Sequence, residues 1–220
     1  MNGMIETKTT QHMALPEPTL RRLPWYLAYV KMLDRQHVVH VSSTQISKAL
    51  SVDSSQIAKD LSFLNIRGKT RIGYEVHSLA QTLADFLGFT QHHRAVVIGV
   101  GSLGGALLRD VGLSQYGLNI VAGFDTNPSL VGSDIVGTPI YHIDRLAEWQ
   151  HENKADIAIL AVPVEHAQEV TDQVVDSGIK AIWNFTPVRI KTPADVTIAN
   201  TSIYAHLAII YNRMNANAEV

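Results

Sequence analysis

The 220-residue sequence predicts a winged helix-turn-helix unit followed by an α/β domain of the doubly wound Rossmann type, closed by an apolar helix. Three observations carry that expectation. Apolar residues keep helical spacing up to about residue 88, and from Arg94 the pattern becomes short apolar runs alternating with helical stretches. The charge changes with it: residues 1–90 hold ten Lys or Arg against seven Asp or Glu, and residues 91–220 hold eight against thirteen. A glycine cluster, Gly99-Val100-Gly101-Ser102-Leu103-Gly104, directly follows the first of the apolar runs. The expected domains are 13–89, 90–201 and a terminal helix over 202–220.

The polar stretch Met1 to His12 lacks the apolar core of a signal peptide and reads as a disordered leader. Leu20 to Gln36 then places Leu20, Leu23, Leu27, Val30 and Leu33 at near-helical spacing behind Pro18, a first helix. A second helix starts at the capping residues Ser43 and Thr44 and breaks at Ser51-Val52-Asp53. A third starts at Ser54, with Ile57, Leu61 and Leu64 on one face. Arg67 to Val76 brings glycines and basic residues into an alternating strand, the expectation for a β-hairpin wing with a cationic tip. His77 to Leu87 is a fourth helix, ended by Gly88.

Ala95 to Ile98 is continuously apolar, as a parallel strand covered on both faces requires. Helix Leu103–Asp110 follows, then strands Asn119–Phe124, Ile157–Val162 and Ala181–Trp183, with helices Asp144–His151 and Glu165–Ser177 between them. Ser202 to Met214 is apolar on nearly every side. Such a helix needs cover from more than one direction, which implies burial in a partner subunit.

With no cysteine, disulfides, thiolate zinc sites and thiol redox sensing are absent, so any redox sensing uses a bound small molecule. The ten histidines lack the HExxH spacing, and no metal site is expected. No apolar run approaches the roughly 18–20 residues that cross a bilayer, and a cytoplasmic location is expected.

GxGxxG between a strand and a helix is the dinucleotide fingerprint: Gly99 for the tight turn, Gly101 for close approach of a pyrophosphate, Gly104 for helix against strand. The free N–H groups of the helix, from Ser102 and Leu103 onward, face the anion. Asp125 ends the next strand, where a carboxylate accepts from an adenosine ribose and repels a 2′-phosphate, favouring NAD(H) over NADP(H). A glycine turn that binds coenzyme A or nothing is the alternative. Val162-Pro163 and Asn184-Phe185-Thr186, at later strand ends, line the other half of the cleft, with plain core packing the competing reading of Phe185. On the third helix Ser54, Ser55, Gln56 and Lys59 occupy the part that enters a major groove, Gln56 suited to adenine and Lys59 to guanine or phosphate. Lys69 and Arg71 on the wing, with Arg21 and Arg22 on the first helix, suit phosphate or minor-groove contact.

Across residues 15–214 the chain resembles the Rex family of redox-sensing repressors. The resemblance lies in Leu20 to Tyr26, Val41-Ser42-Ser43, Lys59 to Phe63, Gly73-Tyr74, Gly99 to Gly104, Phe124-Asp125, Ala161-Val162-Pro163 and Asn184 to Val188. It implies a homodimer that binds a palindromic double-stranded DNA operator, is released by NADH, is held there when NAD⁺ prevails, and swaps its terminal helix. Ala58, the late position of Arg71 and Ser102 depart from the family's basic residues. The family's tyrosine and aspartate beside the nicotinamide fall here on Asp110 and Ser202, which suggests a hydrogen bond across the dimer with the roles exchanged, the alternative being that Ser202 caps its own helix and Asp110 is solvated. A dehydrogenase is the rival reading, but the sequence leaves no stretch for a catalytic domain, and no catalytic residue is expected.

Overall fold

The computed structural model describes residues 15–218, so the expected leader lies outside the described residues. The chain divides after Thr90 into two compact units.

The first unit contains α1 (Glu17–Arg35), β1 (His40–Val41), α2 (Ser43–Leu50), α3 (Ser54–Ser62), β2 (Tyr74–Glu75) and α4 (Val76–Phe86). Pro18 falls at the start of α1, where a missing N–H costs nothing. Leu20 is 40% exposed, and Thr19 turns inward in its place beside Leu23, Tyr26, Leu27 and Val30. The cap of α2 is Ser42, one residue earlier than expected, in a reciprocal capping box with Gln45. Ser51 in the left-handed region ends α2, and Asp53 caps α3. Ile46, Ile57, Leu61, Val76 and Leu83 complete the core. The wing is smaller than a two-stranded hairpin. A tight turn closes with paired Lys69–Gly73 backbone bonds of 2.8 Å, and β2 pairs antiparallel with β1 instead.

The second unit carries β3 (His93–Ile98), α5 (Ser102–Arg109), β4 (Leu118–Asp125), β5 (Asp134–Ile135), β6 (Thr138–His142), α6 (Leu146–Asn153), β7 (Ile157–Leu160), α7 (Ala167–Asp176), β8 (Ala181–Asn184), β9 (Thr197–Asn200) and α8 (Ile203–Ala218). Its sheet has the order β5-β6-β4-β3-β7-β8-β9, parallel except for β5. The chain leaves β3 toward β4 on one side and returns to β7 on the other. The connections leaving the carboxyl ends of β3 and β7 therefore run to opposite sides, which makes this the switch point where doubly wound sheets take ligands. Ala95 to Ile98 are buried on both faces, as their apolar run required. Single 3₁₀ turns, Ile143–Arg145 and Val164–His166, precede α6 and α7. The terminal helix exposes Ile203, Tyr204, Ile209, Ile210, Tyr211 and Met214. Among the described residues no helix is long and apolar enough to cross a membrane, and no cluster of His, Asp or Glu has metal-binding geometry.

Candidate cofactor cleft and nucleic-acid interface

Three glycines open the second unit's cleft for three separable reasons. Gly99 sits at φ +90°, and a Cβ there would lie 2.6 Å from the Ala161 carbonyl oxygen. A Cβ on Gly104 would stand 1.9 Å from the Gly99 carbonyl oxygen, so helix α5 can approach the strand only as glycine. Gly101 meets neither constraint: its backbone is extended and no protein atom lies within 4 Å of a Cβ built there. What remains for Gly101 is room for something outside the chain. Gly101 also caps α5 without a side-chain bond, leaving the helix's first N–H groups available to an anion.

Asp125, at the end of β4, accepts from Val100 N–H at 2.6 Å and from Asn127 N–H at 2.8 Å. Its carboxylate thus braces the glycine loop while each oxygen keeps a lone pair for a ligand hydroxyl. Beside it lies a cleft of about 350 Å³ lined by Gly99, Asp125, Val162 and Pro163 together with Thr126, His142, His166 and Glu169. These donors and acceptors, with an uncapped helix start, fit a dinucleotide.

The other expected cofactor residues are placed differently. Asn184 is fully buried, donating to the carbonyl oxygen of Val188 and to Asn200 Oδ1 and accepting from Thr186 N–H and Oγ1–H. Asn184 and Thr186 therefore fold the loop after β8, and their side chains are spent on the protein. Phe185 packs on Trp183 with ring centroids 4.7 Å apart, the packing reading of that residue. His142 and His166 were missed because one ends a half-exposed strand with no continuous apolar run and the other stands on the turn leading into α7.

Asp110 and Ser202 also have local partners. Asp110 accepts from Gly112 N–H at 2.6 Å and Leu113 N–H at 3.0 Å, and Ser202 Oγ accepts from Ala205 N–H at 3.1 Å. Each acts as a cap within its own chain.

In the first unit the exposed cations divide into two groups. Lys59 lies open on α3, and Lys69 and Arg71 on the wing turn, with Arg71 in the left-handed region at φ +66°. Ser55 is exposed at the helix start, bonded to Asp53, and Ser54 is half-buried beside it. Arg21 is exposed and pairs with Glu17 at 2.6 Å. Arg22 and Gln56 do not face outward as expected. Arg22 forks onto the fully buried Asp60 at 2.7 and 2.8 Å, and Gln56 Nε2 donates to the same carboxylate at 2.8 Å. Burial alone would raise the Asp60 carboxyl, but the bonds from Arg22, Tyr26, Gln56 and Thr19 outweigh it and hold the group below the usual carboxylate range. Sequence spacing missed Asp60 because its partners lie some forty residues away on α1.

Two family models match the chain, "Putative DNA-binding protein N-terminus" over residues 14–62 and "CoA binding domain" over residues 90–188. A redox-sensing transcriptional repressor Rex of Bacteroides fragilis is 57% identical over 217 residues, covering 99% of this chain and 98% of its own. The chain belongs to the Rex family. A Rex of Treponema denticola is 39% identical over 198 residues, covering 89% of this chain and 94% of its own. The crystal structure of RSP in complex with beta-NAD+ and operator DNA superposes with a TM-score of 0.88 at 33% identity, covering 94% of this chain and 95% of that one. RSP in complex with beta-NADH gives a TM-score of 0.84. Rex membership places the chain among repressors and sets aside the dehydrogenase reading. The coenzyme A description covers only the second unit, and the Rex relatives matched over nearly the whole chain carry that unit as well.

Proposed function

We propose that this protein is a transcriptional repressor that senses the NADH/NAD⁺ ratio. It binds a palindromic double-stranded operator as a homodimer in the cytoplasm when NAD⁺ prevails, and NADH releases it. The observation that carries this reading is the likeness, over both units together, to a structure holding both beta-NAD+ and operator DNA. The proposed domains are 13–89 for DNA, 90–201 for the dinucleotide and 202–220 for dimerisation.

In the second domain the glycine loop presents the N–H groups at the uncapped start of α5, those of Gly101, Ser102 and Leu103, to the pyrophosphate, and Asp125 accepts from the ribose hydroxyls. Val162 and Pro163 offer apolar surface further along the cleft. The oxidised nicotinamide ring is cationic and the reduced ring neutral, so apolar surface discriminates the two by the cost of desolvating charge. No bond in the dinucleotide is made or broken. In the first domain Lys59, Lys69, Arg71 and Arg21 meet phosphates or base edges, and Ser54 and Ser55 start the helix that enters the groove. Exposed apolar side chains along α8 support the homodimer, because a partner subunit would cover them.

The coenzyme A reading is separated by competition. NADH fluorescence should rise on binding and fall when NAD⁺ is added, with coenzyme A leaving it unchanged. Displacement of NADH by coenzyme A at equal concentration would reverse the assignment.

A further inference from the structure

One buried carboxylate ties the third helix to the first. Asp60 accepts five hydrogen bonds: two from Arg22 at 2.7 and 2.8 Å, one from Thr19 at 3.0 Å, one from Tyr26 at 2.8 Å and one from Gln56 at 2.8 Å. Thr19, Arg22 and Tyr26 stand on α1, while Gln56 stands one turn before Asp60 on α3. A buried ion pair is weak evidence for stability, since apolar residues of similar volume often serve a core as well or better. A forked pair differs from an apolar contact in fixing distance and angle through two parallel bonds. The neighbours of Asp60 give that precision a use. Gln56 and Asp60 point toward α1, whereas Ser55 and Lys59, also four residues apart, lie on the exposed face.

We infer that Asp60, clamped by Arg22, is the positioning residue of operator recognition. It sets the depth and tilt at which α3 presents Ser55 and Lys59 to the groove, and it holds the Gln56 amide away from the bases. Asp60 itself, fully buried, touches no DNA. The inference rests on the repressor reading given above.

The test uses the full chain and two duplexes of equal length: the palindrome that the parent protein enriches from a randomised library, and a random sequence. Affinities for both are measured for Asp60→Asn and Arg22→Lys at a temperature where circular dichroism shows the protein folded. The ratio of the two affinities should fall by about tenfold or more, the size of a lost base-pair match. Binding of Arg22→Lys to the random duplex, which is set by net charge, should stay within about twofold, and the NADH titration of both variants should not move. A purely structural role would lower both affinities by the unfolded fraction and leave the ratio constant. An unchanged ratio in folded Arg22→Lys, which keeps the charge and loses the fork, overturns the inference even where Asp60→Asn fails to fold. Gln56→Ala should enrich the same palindrome as the parent, and a base changed in that palindrome would show that Gln56 reads it. A parent protein that prefers no duplex over random sequence would overturn the repressor reading itself, and this inference with it.

Discussion

Asp125 braces Val100 and Asn127 from one strand end through their N–H groups, which leaves lone pairs for the proposed ribose contact. Asp125→Ala should weaken NADH binding by about tenfold or more, the range expected for hydrogen bonds to a charged acceptor. Calorimetry showing unchanged affinity would remove the ribose role. Lys59 is exposed on α3, in contrast to Arg22, whose guanidinium is committed to Asp60. Lys59→Ala should weaken operator binding, lower the slope of log affinity against log salt by about 1, and leave NADH affinity alone. A slope identical to the parent's would take Lys59 out of the interface. The different fates of these two cations could not be seen in the sequence, where Arg21, Arg22 and Lys59 are equally basic. What separates them is a buried acceptor brought from a distant helix.

At the scale of elements, Gly101 and Gly104 make a matched pair. Gly104→Ala drives a Cβ into the Gly99 carbonyl and should disrupt the loop, lowering both thermal stability and NADH affinity. Gly101→Ala meets open space, so the melting temperature should hold while NADH affinity falls. Retained affinity in folded Gly101→Ala would count against pyrophosphate at that turn. The clamp between α1 and α3 has a pH signature. The folded Asp60 carboxyl lies below its unfolded value of about 3.9, so its contribution is complete above about pH 5 and is lost as pH falls through the depressed value. Asp60→Asn should cost the first unit about 3 kcal/mol at pH 7, as breaking a buried pair does. The gap between the melting curves of parent and variant should narrow as pH falls below about 4, and a constant gap across that range would contradict the clamp. The eight α-helices among the described residues follow apolar spacing that the sequence displays, and β3, β4, β7 and β8 were legible as apolar runs. The strands β5, β6 and β9 were not, because each is short, half-exposed or at an edge, and pairs only through the completed sheet. The wing was overestimated because its basic, glycine-rich sequence is compatible with a longer hairpin than the single turn that forms.

At the scale of the whole molecule the glycine fingerprint and the helix-turn-helix were both readable, since each depends on residues close together in sequence. The internal bonds of Asn184 and Thr186 were not legible, because the loop that buries them closes onto β9, a strand the pattern hid. The account requires that occupancy of the second domain change the behaviour of the first, typically by about 1–3 kcal/mol of coupling, or about five- to 150-fold in affinity. The most direct measurement is fluorescence anisotropy of labelled palindromic operator bound to the full chain, titrated with NADH and separately with NAD⁺, with absorbance at the reduced nicotinamide band followed throughout. The account predicts that NADH lowers anisotropy to that of free DNA, that NAD⁺ does not and restores binding by competition, and that the NADH absorbance stays constant. Operator that remains bound at saturating NADH, or NADH that is consumed as it acts, would contradict it.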